Sequence, residues 1–283
     1  MRITVLVENH KDPRRPDLRA AHGLALHVEL GEHQLLFDVG PNSALAGNAA
    51  QLHIDLAEID AVILSHHHRD HGGGLAAFLA TNPLAPIYLR PPPGGELHFR
   101  ALAGLIDRSI GLDPALFEAH AGRFHFIDKD TEVLPGVFAV PRIDTAWPTA
   151  AGNRYLFRKS GTAFLRDTFD HELLVTIVED AHQTVLTGCA HHGVRNMVDA
   201  ARRTFPEVPV KTVFGGFHLV GLPFLNTMAG TTADVEAIAR TLLDLDVEQV
   251  YTGHCTGDRA FHVLQRVMGE RIAPIVTGMS VEV

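Results

Sequence analysis

Residues 65–74 read Ser-His-His-His-Arg-Asp-His-Gly-Gly-Gly and follow an apolar run, Ala-Val-Ile-Leu, at 61–64. The run has the character of a buried strand, and the polar decade begins where it ends. Alternation along an extended turn puts His66 and His68 on one side, so both imidazoles reach one ion. Asp70 and His71 follow where the chain turns toward a helix, and they serve a second ion. Imidazole and carboxylate are ligand types that zinc, iron and manganese accept. His67 and Arg69, at the intervening positions, point elsewhere. Gly72, Gly73 and Gly74 permit backbone angles and close approaches that larger residues forbid. The alternative is a solvated, histidine-rich loop. It explains neither the spacing nor the preceding strand nor the glycine run.

The same device recurs further along the chain. Short apolar runs end in Gly/His turns at 184–193 (TVLTGCAHHG), 212–218 (TVFGGFH) and 250–257 (VYTGHCTG). Ligands of layered α/β sheets sit beyond the carboxyl ends of strands, so four such ends are expected to converge on one edge. Core packing alone favours apolar residues at these positions.

Between these motifs the chain alternates. Strands are expected at 3–7, 24–30, 34–38, 61–64, 124–127, 137–140, 173–178, 184–186, 210–214, 247–251 and 272–276. The second and third form a hairpin across Gly31-Glu32. Helices are expected at 44–52, 75–79, 192–203, 232–243 and 259–268. Residues 97–116 read as a helix lying over a pocket as a lid. Residues 145–159 read as irregular. No linker demands a boundary, so 1–283 is read as a single domain with 90–159 covering the pocket.

Composition narrows the class. Hydrophobic residues make up 46% and charged residues 20%, the balance of a soluble globular protein. A net charge of −9 with no Lys/Arg run argues against nucleic acid or an anionic membrane as main partner, and for a small-molecule substrate. The N-terminal stretch lacks the long apolar run of a signal peptide, and no segment approaches the ~20 apolar residues of a membrane span. The two cysteines, Cys189 and Cys255, make no disulfide framework and suit a cytoplasmic location. Oligomeric state is not readable. No Gly-x-Ser-x-Gly elbow, Rossmann fingerprint or phosphate loop is present. The 19 histidines exceed what a core needs.

SHHHRDHGGG resembles the signature of the metallo-β-lactamase superfamily. DHELLV at 170–175, TGCAHHG, VFGGFHLVG and YTGHCTG resemble its subgroup of metal-dependent hydrolases of class II. Some members of that subgroup are named 7,8-dihydropterin-6-methyl-4-(β-D-ribofuranosyl)aminobenzene-5′-phosphate synthase. The resemblance runs from ITVLVEN at 3–9 to the last strand. It implies an α/β fold, the four-layer αβ/βα sandwich with two mixed sheets and helices outside. It also implies two divalent metal ions: zinc first, with iron or manganese compatible. Carried onto this chain, His254 matches the last metal ligand. Cys189 stands where many relatives have a bridging Asp. His171 and His191 are rival third histidines. Each has a bland alternative: Cys189 as a small buried hydrophobe, His171 as a surface residue, His191 as a helix cap. Asp38, in LLFDVG at 35–40, is read either as hydrogen-bond partner of a ligating imidazole or as a turn residue. Asn9 is a pocket-lining candidate. Arg142, Arg154 and Lys159 are anion binders or solvated charges.

The chemistry that follows is hydrolysis by a metal-activated hydroxide on a small polar or phosphorylated metabolite. Asp70 orients the attacking group. His218 or His191 protonates the leaving group, or His218 serves packing. A pterin-related synthase or transferase on the same site is the alternative. A metal-containing sensor or ligand-binding protein with little turnover is the reading from another class.

Overall fold

The computed structural model describes residues 1–222, 225 and 227–283. In chain order its first strands are β1 (Arg2–Val7), β2 (Ala25–Leu30), β3 (His33–Phe37), β4 (Ala61–Ile63), β5 (Ile87–Leu89), β6 (Glu96–Ala101), β7 (Ile106–Ser109) and β8 (Phe124–Phe126). Next come β9 (Thr131–Leu134), β10 (Val137–Val140), β11 (Leu156–Ser160), β12 (Ala163–Arg166), β13 (Leu174–Glu179) and β14 (His182–Thr187). The last are β15 (Val210–Gly215), β16 (Gln249–Thr252), β17 (Ile272–Pro274) and β18 (Ser280–Glu282). The α-helices are α1 (Ala44–Gln51), α2 (Arg69–Gly72), α3 (Leu75–Thr81), α4 (Pro114–Ala119), α5 (Val194–Thr204), α6 (Thr232–Asp244) and α7 (Asp258–Met268).

The chain forms two compact units. The first comprises Met1–Asp128, Tyr155–Glu172 and Val276–Val283. Its main sheet has the order β18-β1-β2-β3-β4-β5-β8. The β2–β3 hairpin turns at Gly31, whose φ of 61° is the left-handed conformation glycine tolerates. From β3 onward the pairings with β4, β5 and β8 are parallel. Leu36, Val62, Leu64, Leu75, Phe78 and Ile87 pack into one buried cluster between this sheet and helices α1 and α3.

A small antiparallel sheet, β12-β11-β6-β7, belongs to the same unit. It replaces the helix expected over 97–116. The chain reverses at Leu102, Ala103 and Gly104, with φ of 50°, 55° and 91°, and no α-helix passes through such a run. Backbone pairing of β6 with both β7 and β11 overrides the helix propensity of its Leu, Ala and Arg residues, which is only a weak local preference. The stretch expected to be irregular at 145–159 contains most of β11, which turns at Gly161 into β12.

The second unit comprises Lys129–Arg154 and Leu173–Ile275. Its sheet has the order β17-β16-β15-β14-β13-β10-β9. The four strands β14, β15, β16 and β17 are parallel neighbours, so their carboxyl ends lie at one edge. Helix α5 buries Val194, Met197, Val198 and Ala201 at the i, i+3, i+4, i+7 spacing of one face, and Arg195 and Arg202 lie off that face. Helix α6 starts with a complete capping box, Thr231 with Asp234.

The glycine run after the histidine motif is there for proximity rather than for unusual backbone angles. Gly73 and Gly74 have ordinary right-handed φ values of −65° and −77°. A Cβ on Gly73 would lie 2.2 Å from Pro41 O, and one on Gly74 2.2 Å from Val39 O. Gly73→Ala is therefore expected to lower unfolding stability by roughly 1–3 kcal/mol or more, because backbone must give way. Gly47→Ala, on the exposed side of α1 with nothing within 4 Å, is expected to raise stability by roughly 0.5–1 kcal/mol. Denaturant unfolding of the two variants beside wild type measures both signs.

Candidate metal centre

In the first unit, β4 delivers Ser65, His66, His67 and His68 beyond its carboxyl end, and α2 carries Asp70 and His71. Asp38, just after β3, is fully buried and sits at φ 59°. A non-glycine residue holds that conformation only where surrounding contacts compensate. Three donors do so: Ser65 N at 2.8 Å, Ser65 Oγ at 2.8 Å and His71 Nδ1 at 2.6 Å.

These bonds fix the imidazole tautomers. The single Ser65 hydroxyl proton goes to Asp38, so Ser65 Oγ accepts from His66 Nδ1–H at 2.8 Å. The Nε2 of His66 is then left with its lone pair. His71 Nδ1–H points at Asp38, so its Nε2 is likewise a lone-pair atom. His66 Nε2 lies 3.0 Å from His68 Nδ1, and His71 Nε2 lies 3.9 Å from Asp70 Oδ2. Two donors at about 2.1 Å from one ion are at most about 4.2 Å apart, so both pairs fit metal coordination. The donor set and its tautomers fit the divalent ions that the sequence motif calls for. Of the two readings of Asp38, the hydrogen bond to a candidate ligating imidazole is observed.

His171 is placed differently. His67 N–H donates to its Nδ1 at 3.3 Å, so Nε2 carries the proton and donates to Asp167 at 3.0 Å. Both ring nitrogens therefore face protein partners, although the ring lies 5.8 Å from that of His68. Burial acts most strongly, to raise the Asp167 carboxyl, and His171, the Phe169 N–H and His68 together more than reverse it, leaving Asp167 below its ordinary value. His68, Asp167 and His171 offer ligand atoms within 4.8 Å of one another. Asp167 was not singled out in the sequence, and its spacing four residues before His171 is the only signal that pointed to it. Asn9 accepts from Gly23 N at 3.2 Å.

Burial keeps His67 and His68 neutral. His67 titrates at about 4 and His68 at about 3, in both cases chiefly through desolvation. An unfolded histidine titrates near 6.5. Between about pH 4 and 6.5 the unfolded chain binds more protons at His67 than the folded one, so stability falls as pH falls through that window. Metal-free protein is expected to lose melting temperature from pH 6.5 toward pH 4 more steeply than a His67→Gln variant. Equal slopes would contradict the assignment.

In the second unit, adjacent parallel strands carry the remaining candidates. Cys189 and His191 follow β14, His218 follows β15, and His254 follows β16. Three of the four strand ends expected at one edge are thus neighbours in a single sheet. Ala190, His218 and His254 have φ of 50°, 46° and 50°. Such strain concentrates at functional turns. Asn153 Nδ2 donates to His191 O at 2.8 Å, which leaves Asn153 Oδ1 to accept from His191 Nδ1–H at 2.9 Å. His191 Nε2 is therefore a lone-pair atom as well. The His191 and His218 rings lie 4.4 Å apart. Burial raises the Cys255 thiol, and contacts with Cys189, His254 and His218 reverse this, holding it well below the ordinary thiol range.

Residues 21–205 match the family model of the metallo-β-lactamase superfamily. The chain belongs to that superfamily. Along 92% of its length it is 28% identical to the 7,8-dihydropterin-6-methyl-4-(β-D-ribofuranosyl)-aminobenzene-5′-phosphate synthase of Methanocaldococcus jannaschii, covering 89% of that protein. It superposes over its whole length on 99% of Tm1679, a metal-dependent hydrolase of the β-lactamase superfamily, with a TM-score of 0.81 and 26% identity. The zinc-bound PqqB of Methylobacterium extorquens shares the fold alone, at a TM-score of 0.60 and 11% identity over the full length of both chains. The metallo-β-lactamase fold implied by the sequence motif is thereby established, with two mixed sheets and flanking helices. Among the described residues no helix is long and apolar enough to cross a membrane.

Proposed function

We propose that this protein is a metal-dependent hydrolase acting on a small polar or phosphorylated metabolite. The observation that supports this most is the tautomer control exerted by Asp38 and Ser65, which puts the lone pairs of His66 and His71 on Nε2, the atoms this reading assigns to the metal. Our ligand set is His66, His68, Asp70, His71, Cys189, His191 and His254, with His171 as rival to His191. Superfamily membership supports the second-unit members of that set. Bound divalent ions, zinc first, would lower the pKa of water to about 7 and polarise the oxygen under attack. Asp70 would orient the attacking group. His191 or His218 would supply the leaving-group proton. We place the protein in the cytoplasm, where two buried cysteines without a disulfide are at home. Nucleic acid and membrane are not proposed as partners, in keeping with the net charge of −9.

Likeness to a named synthase over 92% of the chain favours a second reading. In it a pterin-type compound, rather than water, is one partner of the reaction. A panel of phosphodiesters, lactones and thioesters, with zinc, manganese and iron in turn, separates the two. Turnover of a single compound in water supports the hydrolase. Turnover that requires a second organic substrate supports the synthase. Saturable binding without turnover under any metal would sink both and leave a ligand-binding protein.

A further inference from the structure

The chain's two cysteines lie 66 positions apart, and the fold brings both to one sheet edge. Cys189 follows β14 and Cys255 follows β16, the two strands on either side of β15. A side chain at the end of β15 would keep them apart. That end is Gly215-Gly216. A Cβ on Gly216 would lie 2.4 Å from Cys255 Sγ, and one on Gly215 1.8 Å from Thr187 O. Gly216 therefore opens the space the Cys255 thiol occupies, and Gly215 lets β15 lie close against Thr187 of β14.

His218 completes the cluster from the same strand end. Its backbone N–H donates to Cys255 Sγ at 3.2 Å, and Cys255 Sγ contacts Cys189 O at 3.8 Å. One imidazole nitrogen of His218 and the two Sγ atoms lie within 4.8 Å of one another. A second, independent observation points to a ligand. His218 Nδ1 is buried and has no hydrogen-bond partner among the described residues. A buried imidazole nitrogen left unmatched is disfavoured by roughly 1–3 kcal/mol, so retaining one calls for an occupant. The ring is held close: a Cβ on Gly152 would lie 2.6 Å from His218 Cδ2, and His218 O accepts from Gly152 N.

We propose that Cys189, Cys255 and His218 form a binding site for a thiophilic d¹⁰ metal ion, such as zinc or cadmium, with both thiolates and the His218 imidazole as ligands. Thiolate and imidazole are the donors such ions favour, at about 2.3 Å for sulfur and 2.0–2.1 Å for nitrogen. A small inward turn of one side chain closes the present spacing to those values. Each thiol gives up its proton to solvent on binding, with no change in oxidation state. Cys189 is common to this cluster and to the ligand set of the hydrolase. His218 is one of the two candidate proton donors of that reading; the proposal gives His218 to the metal and leaves the leaving-group proton to His191.

The test uses the full chain, reduced and stripped of metal, titrated with cadmium alone. Wild type is expected to develop a thiolate-to-cadmium charge-transfer band in the ultraviolet. Cys255→Ser is expected to lose about half of its amplitude and at least about 10-fold in affinity. Asp70→Ala is expected to keep the band whole while losing metal elsewhere, which separates this cluster from the hydrolase site. X-ray absorption on cadmium-loaded wild type is expected to find two sulfurs around one ion. No band in wild type, an unchanged band in Cys255→Ser, or a shell of nitrogen and oxygen only would each overturn the proposal.

Discussion

Asp70→Ala is expected to reduce turnover by on the order of 10³-fold or more and to remove about one of two bound ions. The carboxylate lies 3.9 Å from the His71 lone pair and is a quarter exposed, so it is near the proposed ion and reachable from solvent. In the proposed mechanism, removing it takes away a negative ligand and the group that aligns the attack. The fold should survive, because the side chain is a quarter exposed. Single-turnover rates and metal content of the purified variant measure the two losses together. Full metal content with normal rates would show that Asp70 is neither ligand nor orienting group.

The second large effect is expected at Asp38, which binds no ion in this account. Asp38→Asn preserves volume, and asparagine tolerates the left-handed backbone at φ 59°. The amide fails on hydrogen bonding. Asp38 Oδ1 faces the Ser65 N–H, and Oδ2 faces both the Ser65 hydroxyl and His71 Nδ1–H. Either orientation of the amide sets an NH₂ against a donor. When it faces His71, the imidazole proton is driven to Nε2, the atom meant for the metal. Metal affinity is expected to fall 10–100-fold, as when an outer partner of a ligating histidine is lost. Unfolding stability is expected to fall by roughly 1–3 kcal/mol. Isothermal titration with zinc and denaturant melts of the metal-free protein read the two separately. Unchanged zinc affinity would contradict the tautomer argument.

Much of this site was legible in the chain, for identifiable reasons. The motif at 65–74 announces itself because alternation, a preceding strand and three glycines are all local features. The strand ends after β14, β15 and β16 were readable from short apolar runs closed by Gly and His. What local pattern does not reveal is pairing across distance. Ser65 reads as one more polar turn residue until Asp38 is seen to accept its proton. Asn153 lies in a stretch with no periodicity, and only the fold brings it to His191. Cys255 reads as a neighbour of His254 and not of Cys189, because the glycine that makes room for its thiol, Gly216, follows a third strand. The small sheet β12-β11-β6-β7 was misread for a related reason. Its strands 96–101 and 106–109 contain good helix formers, and β11, the partner of the first, lies about 60 residues further along the chain. The Ser-Gly-Thr turn between β11 and β12 was a usable hairpin signal.

The central claim is that this chain holds a pair of divalent ions for chemistry. Metal content by mass spectrometry of untagged wild-type protein, incubated with zinc, manganese or iron and then desalted, addresses it most directly. The account predicts about two ions per chain, or about three if the thiolate cluster also fills, and return to about zero after chelation. Less than one ion per chain with every metal would contradict it.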